Sequence, residues 1–379
     1  MISAAELVRV RMPLRRSLAS AHGTETVREV VLVRLVADDG VEGWGECSAL
    51  EAPTYTGEYT DGAWAVLRDH LVPPLLGRGP ATAVVQGHPM AVAAVGAAGL
   101  DLDLRRRGVS LATALGAVDG HGLAWTAVLG LPGRGESQLL LEAAAARAAG
   151  AGALKLKITP ACGPDLIAAL LDAFPDGPLA VDGNGSFRGH EPELIEVAER
   201  LATSGSSGGE GPAGSRSDVS RIYVEQPLPA DDLLGTADLA RRLAVPVALD
   251  ESIGAAGDVV AAWALGACRL VNLKPARVGG IDAAMGLFDG DRPFRPAAFL
   301  GGMLETGIGR ATALAVGGAL GLAATDVGPS SWYFDDDITD PIELGADRLM
   351  RPPPGPGIGV VPRPERLAAV AVDRLLIRP

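Results

Sequence analysis

Five consecutive short apolar runs in the middle of this chain each end in a charged residue. They read Ala153-Leu154-Lys155-Leu156-Lys157, Leu179-Ala180-Val181-Asp182, Ile222-Tyr223-Val224-Glu225, Val247-Ala248-Leu249-Asp250 and Leu270-Val271-Asn272-Leu273-Lys274. Each reads as a strand, and a charge at the end of a buried strand costs free energy unless something pairs with it. Helical, Ala-rich stretches such as Gln138 to Ala149 and Asp232 to Leu243 lie between the runs. Candidate strands start near Ala124, Ala153, Leu179, Arg221, Pro246, Arg269, Ala297 and Leu322. Seven or eight strand–helix units in roughly two hundred residues suit an α/β fold closed into a (β/α) TIM-type barrel better than an open sheet. In such a barrel the C-terminal strand ends face the active site, which is where the five charges fall.

The chain before the barrel reads differently. Leu7 to Arg11 and Val30 to Leu35 alternate as strands, Asp38-Asp39-Gly40 is a hairpin turn, and Val41 to Glu46 is a third strand. Helical patterns follow at Asp61 to Leu76 and at His88 to Arg107, the second ending in Gly108. The expected organisation is an N-terminal α+β domain over 1–120, the barrel over 121–345, and a segment over 346–379. That last segment is rich in Pro and Gly before a short apolar helix near Leu367 to Leu376, and is expected to pack back on the first domain. Thr203 to Ser220 reads as a mobile Gly/Ser-rich loop away from the catalytic face.

The 379 residues are 48% apolar, with 33 basic and 46 acidic side chains and a net charge of −13. That balance argues against nucleic acid or an anionic membrane as partner. Cys47, Cys162 and Cys268 are scattered and not in metal spacing, so reduced, buried thiols in a cytoplasmic setting are expected. No secretory signal is read at Met1 to Glu6, and charge or glycine interrupts the apolar stretches before membrane-spanning length.

For any one of Asp182, Glu225 and Asp250, a surface salt bridge or a helix cap is the ordinary reading. Three carboxylates on successive units, without His or Cys, favour a shared hard cation such as magnesium. Lys155 and Lys157 are two apart and share a strand face. Two close ammonium groups disfavour each other's charge, which makes a neutral amine base accessible. A lone K-x-K is a solvated strand end, but apolar Leu154 and Ile158 oppose that here. Lys274 ends the strand after that of Asp250, across the barrel mouth from the first two lysines. A base, a metal and a second cation suit removal of a proton next to a carboxylate.

At these residues the chain resembles the enolase superfamily, in its muconate-lactonising branch, where a Lys or His base works with magnesium against an enediolate. Within the branch, Gly301-Gly302-Met303-Leu304-Glu305-Thr306-Gly307-Ile308-Gly309-Arg310, Ser330 to Phe334 and Gly355 to Gly359 resemble the o-succinylbenzoate synthase/N-acylamino acid racemase family. Gly43 to Cys47 extends the likeness into the first domain, which the resemblance makes a capping domain. The resemblance implies Asp182, Glu225 and Asp250 as ligands of Mg²⁺, with Mn²⁺ able to substitute. It implies Lys157 as base, Lys274 as the opposite cation or acid, and Lys155 as electrostatic support. Asn184 is expected to hydrogen-bond the lysines. Glu251, Gly302 and Met303 are expected behind the ligands or against substrate.

Synthase function implies syn-elimination of water from a succinylated hydroxycyclohexadiene carboxylate in menaquinone synthesis. Racemase function, on N-acyl (N-succinyl) amino acids, would use both lysines. A non-catalytic binder on the same fold would be favoured by a missing lysine or ligand, and none is missing. Dipeptide epimerases carry Asp-x-Asp after the eighth strand, whereas Asp326-Val327-Gly328 has only the first acid. Muconate cycloisomerase lacks the Gly-Gly-Met-Leu-Glu-Thr run. The expected partner is a small-molecule carboxylate, with a homo-oligomer left open. Two departures stand out: Trp332 replaces a frequent Arg, and the capping loop Arg15 to Thr26 is basic. Arg15 and Arg16 read either as a solvated turn or as attractors of a succinyl carboxylate.

Overall fold

The computed structural model describes residues 1–77, 85–131, 135–162, 164–175, 177–205, 222–287 and 297–379. β1 (Ile2–Ser20) and β2 (Gly23–Ala37) form a long antiparallel hairpin, and β3 (Glu42–Cys47) adds to β2. The predicted turn is present, with Gly40 at φ 81° and its N–H donating to Ala37 O at 3.0 Å. The helix Pro89–Arg107 crosses this sheet and stops at left-handed Gly108. Its close approach needs a glycine on β3, because a Cβ on Gly45 would collide with Ala94 O. The expected Asp61 to Leu76 helix is broken. Only Thr60–Val66 is α-helical, a π turn follows at Leu67–Leu71 and a 3₁₀ turn at Pro73–Leu75. Pro73 and Pro74 lack the N–H groups that would continue it.

Eight parallel strands then close on themselves. They are β4 (Leu123–Leu129), β5 (Ala153–Lys157), β6 (Leu179–Asp182), β7 (Val224–Glu225), β8 (Val247–Leu249), β9 (Leu270–Leu273), β10 (Ala297–Leu300) and β11 (Ala324–Thr325). Each pairs with the next, and β11 pairs with β4. The fold is the expected TIM-type barrel with a capping domain. The Gly/Ser-rich stretch lies, from residue 206, outside the described residues, as does the expected strand start at Arg221.

Side chains two apart on a strand share a face, and this explains the site's position. Ala180, Tyr223, Ala248, Leu270, Phe299 and Ala324 form one apolar cluster inside the barrel. Asp182, Glu225, Asp250 and Asn272 are each two residues further on. They therefore stand above an apolar plug that keeps water out from below.

β12 (Leu349–Met350) lies antiparallel on β4, and β13 (Ala371–Ile377) lies antiparallel on β1. The expected helix at Leu367 to Leu376 is corrected. The helix is Pro364–Val370, and the rest is the edge strand of the capping sheet. Pairing with β1 overrides the local apolar run, with Leu375 and Ile377 packed on the capping core. Among the described residues no helix is long and apolar enough to cross a membrane. All three cysteines are free, Cys47 and Cys268 buried and Cys162 only half-buried, so the expectation of burial fails for Cys162.

Candidate active site

Strand register brings the charges together. Lys157 on β5 stands opposite Asp182 on β6, which stands opposite Glu225 on β7. Lys157 Nζ donates to Asp182 at 2.5 Å. Lys155, 2% exposed, donates to Glu225 at 2.7 Å and to Asp326 at 2.5 Å, and its ammonium sits 5.0 Å above the Phe299 ring. Burial opposes its charge, but Asp326 and Glu225 outweigh that and hold its pKa well above the ordinary value. The expected mutual weakening of the two lysines therefore does not describe Lys155. It is a fixed cation held between two acids.

Asp250 lies two residues past the Glu225 row, where Lys274 Nζ reaches it at 2.9 Å and Arg277 Nη1 also donates to it. Burial raises its pKa, yet Lys274 and Arg277 overcome that and hold it well below the usual carboxylate range. Tyr55, from the capping domain, donates to Asp250 at 2.9 Å and accepts from Lys274 at 2.9 Å and from Arg277 at 2.6 Å. Gln226 holds the backbone here. Its Oε1 accepts from the N–H groups of Asp250 (3.0 Å) and Ser252 (3.2 Å). Gln226 and Asn184 both sit at positive φ, 34° and 41°, just past catalytic strands. Left-handed conformations in non-glycine residues cost about 1 kcal/mol or more and concentrate at functional sites.

Asn184 does not bond the lysines as expected. Its backbone N–H donates to Asp182 at 2.9 Å and its amide to Glu251 at 2.9 Å, because the left-handed turn swings it past the strand face toward the next loop. Glu251 in turn meets His22 Nε2 at 2.8 Å. His22 is at the tip of the β1–β2 hairpin, where Leu18 to Ser20 pair with Gly23 to Glu25, while Arg15 to Ser17 lie in a break of the register. Arg15 and Arg16 donate to the carbonyls of Ser331 and Trp332, and the Arg16 guanidinium stacks 4.0 Å over the Trp332 ring. Arg16 is anchored to the barrel by both contacts, whereas the Arg15 side chain is 49% exposed, so the solvated reading holds for Arg15 and not for Arg16. Trp332 is buried edge-on against Trp125.

One small cavity, about 70 Å³, is lined by Lys155, Lys157, Asp182, Glu225, Asn272, Lys274 and Asp326. Leu18 of the hairpin, Val128, Gly302, Leu304, Glu305 and Tyr333 supply further wall. Asp250, Asn184, Glu251 and Met303 do not line it; the Met303 side chain packs in the capping core. Gly301 is glycine of necessity, since a Cβ there would collide with Asn272 Oδ1.

Among the described residues no three His, Cys, Asp or Glu side chains stand together as a ready metal cluster. Asp182, Glu225 and Asp250 each turn to a cation of the chain itself. The donor set nonetheless fits a hard divalent ion. Burial pushes Glu225 up to about 8, and the like charges of Asp182 and Asp250 add to the shift against Lys155. Asn184 Oδ1, Glu251 Oε2, Asn272 Oδ1 and Asp326 Oδ1 are buried acceptors with no donor. Crowded carboxylates with orphaned oxygens beside them are an environment short of positive charge.

Arg277 and Asp326 were within reach of sequence reasoning, since one lies three residues past Lys274 and the other just past the eighth strand. Tyr55, His22 and Gln226 carry no such signal.

Residues 2–116 match the mandelate racemase / muconate lactonizing enzyme N-terminal domain family, and residues 138–366 match the enolase C-terminal domain-like family. The chain belongs to the enolase superfamily and is an enzyme. An N-succinylamino acid racemase from Amycolatopsis sp is 36% identical, with 99% of both chains covered. An o-succinylbenzoate synthase from Geobacillus kaustophilus is 34% identical over 92% of this chain and 90% of that protein. The crystal structure of an enolase superfamily member from Listeria innocua superposes with a TM-score of 0.86 at 26% identity, covering 100% of this chain and 99% of that one. Within the superfamily this chain falls in the o-succinylbenzoate synthase/N-succinylamino acid racemase family.

Proposed function

We propose that the protein is an o-succinylbenzoate synthase, acting on a succinylated hydroxycyclohexadiene carboxylate in menaquinone synthesis. The observation that carries this is one cavity lined by both Lys157, at the end of β5, and Lys274, directly after β9, on opposite sides of an eight-stranded barrel. Asp182, Glu225 and Asp250 are the residues that would hold Mg²⁺ or Mn²⁺. Once bound, the ion would supply positive charge against the negative charge that develops on the substrate carboxylate. It would also compete with Lys157 for Asp182, leaving the amine available.

Lys157, as the free amine, takes the proton from the carbon beside the carboxylate. The C–O bond on the adjacent carbon then breaks. The hydroxyl leaves on the same face with the proton Lys157 carries, so water departs and the amine is restored. Lys274 stays an ammonium on the other face and steadies the enediolate. Leu18, Val128 and Tyr333 keep bulk water from that intermediate.

A second reading, N-succinylamino acid racemase, is favoured by the same pair of lysines. Lys157 would remove the α-proton and Lys274 return one from the other face. Assaying dehydration and the exchange of an N-succinyl amino acid α-proton in deuterated water, side by side, separates the two by relative rate. Lys157→Ala is expected to lower both by ~10²–10⁴-fold. Lys274→Ala is expected to abolish racemisation and to slow dehydration. Unchanged turnover in either variant sinks the mechanism.

A further inference from the structure

The geometry points to Glu46, seconded by Arg28, as a positioning residue of the capping domain that sets the cavity wall formed by Leu304 and Glu305. This rests on the function proposed above. Glu46 on β3 is 5% exposed. Its carboxylate accepts from Thr306 N–H at 3.2 Å, Thr306 Oγ1 at 2.5 Å, Gly309 N–H at 3.0 Å and Ser48 Oγ at 3.1 Å. Three of those four donors belong to the start of the barrel helix Gly307–Ala319. A carboxylate from another domain therefore caps this helix and takes up its positive end.

Arg28 on β2 makes the companion contact. It is 1% exposed, donates to Met303 O at 3.0 Å, and also bonds the carbonyls of Glu29, Ser48 and Ala49. Between the two anchors run Leu304 and Glu305, and both line the cavity. Leu304 is at φ 56°, a left-handed conformation that a leucine does not hold without support. Its neighbour is braced from the barrel side, where Arg310 Nη2 donates to Glu305 O at 2.8 Å. The space behind Lys274 is itself lined by Glu46, Ser48 and Glu305, so the clamp also borders the second lysine. In a cavity of about 70 Å³, a shift of Leu304 by an ångström changes what fits. The seat of the capping domain and the shape of the substrate wall are thus one arrangement.

The test uses Glu46→Gln, Glu46→Asp and Arg28→Lys at pH 8. A glutamine at 46 keeps one acceptor oxygen but turns an NH₂ group toward N–H donors. α-Proton exchange is measured on the N-succinyl and N-acetyl forms of one amino acid, and amide hydrogen exchange is followed across residues 303–309. Glu46→Gln should raise KM for the N-succinyl substrate by ~10-fold with kcat within ~3-fold, and alter the N-succinyl over N-acetyl preference by ~5-fold or more. The amides of Thr306 and Gly309 should exchange at least ~10-fold faster, with partial restoration in Glu46→Asp. A lowered melting temperature with unchanged KM and preference, or unchanged amide exchange, overturns the proposal. If the wild-type protein exchanges neither substrate, the racemase reading fails, KM is read instead on dehydration of the succinylated hydroxycyclohexadiene carboxylate, and amide exchange still decides the clamp. If Glu46→Gln does not fold, Arg28→Lys carries the same readouts.

Discussion

Glu58 shows what burial does to a single carboxyl group in this fold. It accepts from the N–H groups of Met90 and Ala91, each at 2.8 Å, yet burial pushes it up from 4.5 to about 7. Glu46 moves to the same value, burial and Glu305 acting against Thr306, Gly309 and Arg28. A carboxyl whose folded pKa is raised binds its proton more tightly in the native state. The stability it contributes is complete below pH 4.5 and is lost as pH rises through 7. Over that window the wild-type protein should lose on the order of 3 kcal/mol relative to Glu58→Gln. Urea unfolding of both proteins at several pH values checks this; a constant difference across the range refutes it. The same scale shows which site residues were readable. Asp182, Glu225 and Asp250 were conspicuous because a charge breaks an apolar run. Asp326 sits at a strand end of the same kind and needed only the same rule, whereas Arg277 lies in the turn that follows β9. Tyr55 lies far from Asp250 in sequence, inside a stretch with no periodic pattern, and only the fold joins them.

Secondary-structure elements were legible where the period was long and its environment symmetrical. All eight barrel strands start within a few residues of expectation, since each is buried and bounded by helices. The failures are elements whose state depends on a distant neighbour. Ala371–Ile377 has a helix-compatible run of apolar residues, but β1 offers an open edge and the segment pairs with it. Strand alternation turns Leu375 toward the capping core while Leu376 is 52% exposed. Leu375→Ala should therefore cost about 1–2 kcal/mol and Leu376→Ala within about 0.5 kcal/mol. Equal losses in denaturant unfolding would contradict the strand. The β1–β2 hairpin is a parallel case. Its segment Arg15 to Thr26 read as a loop, and the structure runs β1 and β2 through it, with Leu18 to Ser20 paired to Gly23 to Glu25 and His22 at the tip reaching Glu251.

At the scale of the whole molecule, the barrel mouth is closed by a second domain and short of positive charge. A native state that binds a divalent ion which the unfolded chain does not is stabilised by about 2.7 kcal/mol at a hundredfold excess over Kd. Mg²⁺ and Mn²⁺ should accordingly raise the melting temperature with concentration, and Asp182→Asn should blunt the rise. A melting temperature indifferent to both ions would remove the metal from the proposal. By itself the sequence determined the barrel, the strand ends that carry Lys155, Lys157, Asp182, Glu225, Asp250 and Lys274, and the acidic balance. Those follow from period, length and the cost of burying charge, all local properties. Only the tertiary structure decided which partner each charge takes, that Tyr55, His22, Glu46 and Arg28 reach the barrel from the capping domain, and that Leu304 is held left-handed against the cavity. Those are contacts between residues remote in the chain, made by the packing of two domains, and no local pattern encodes them.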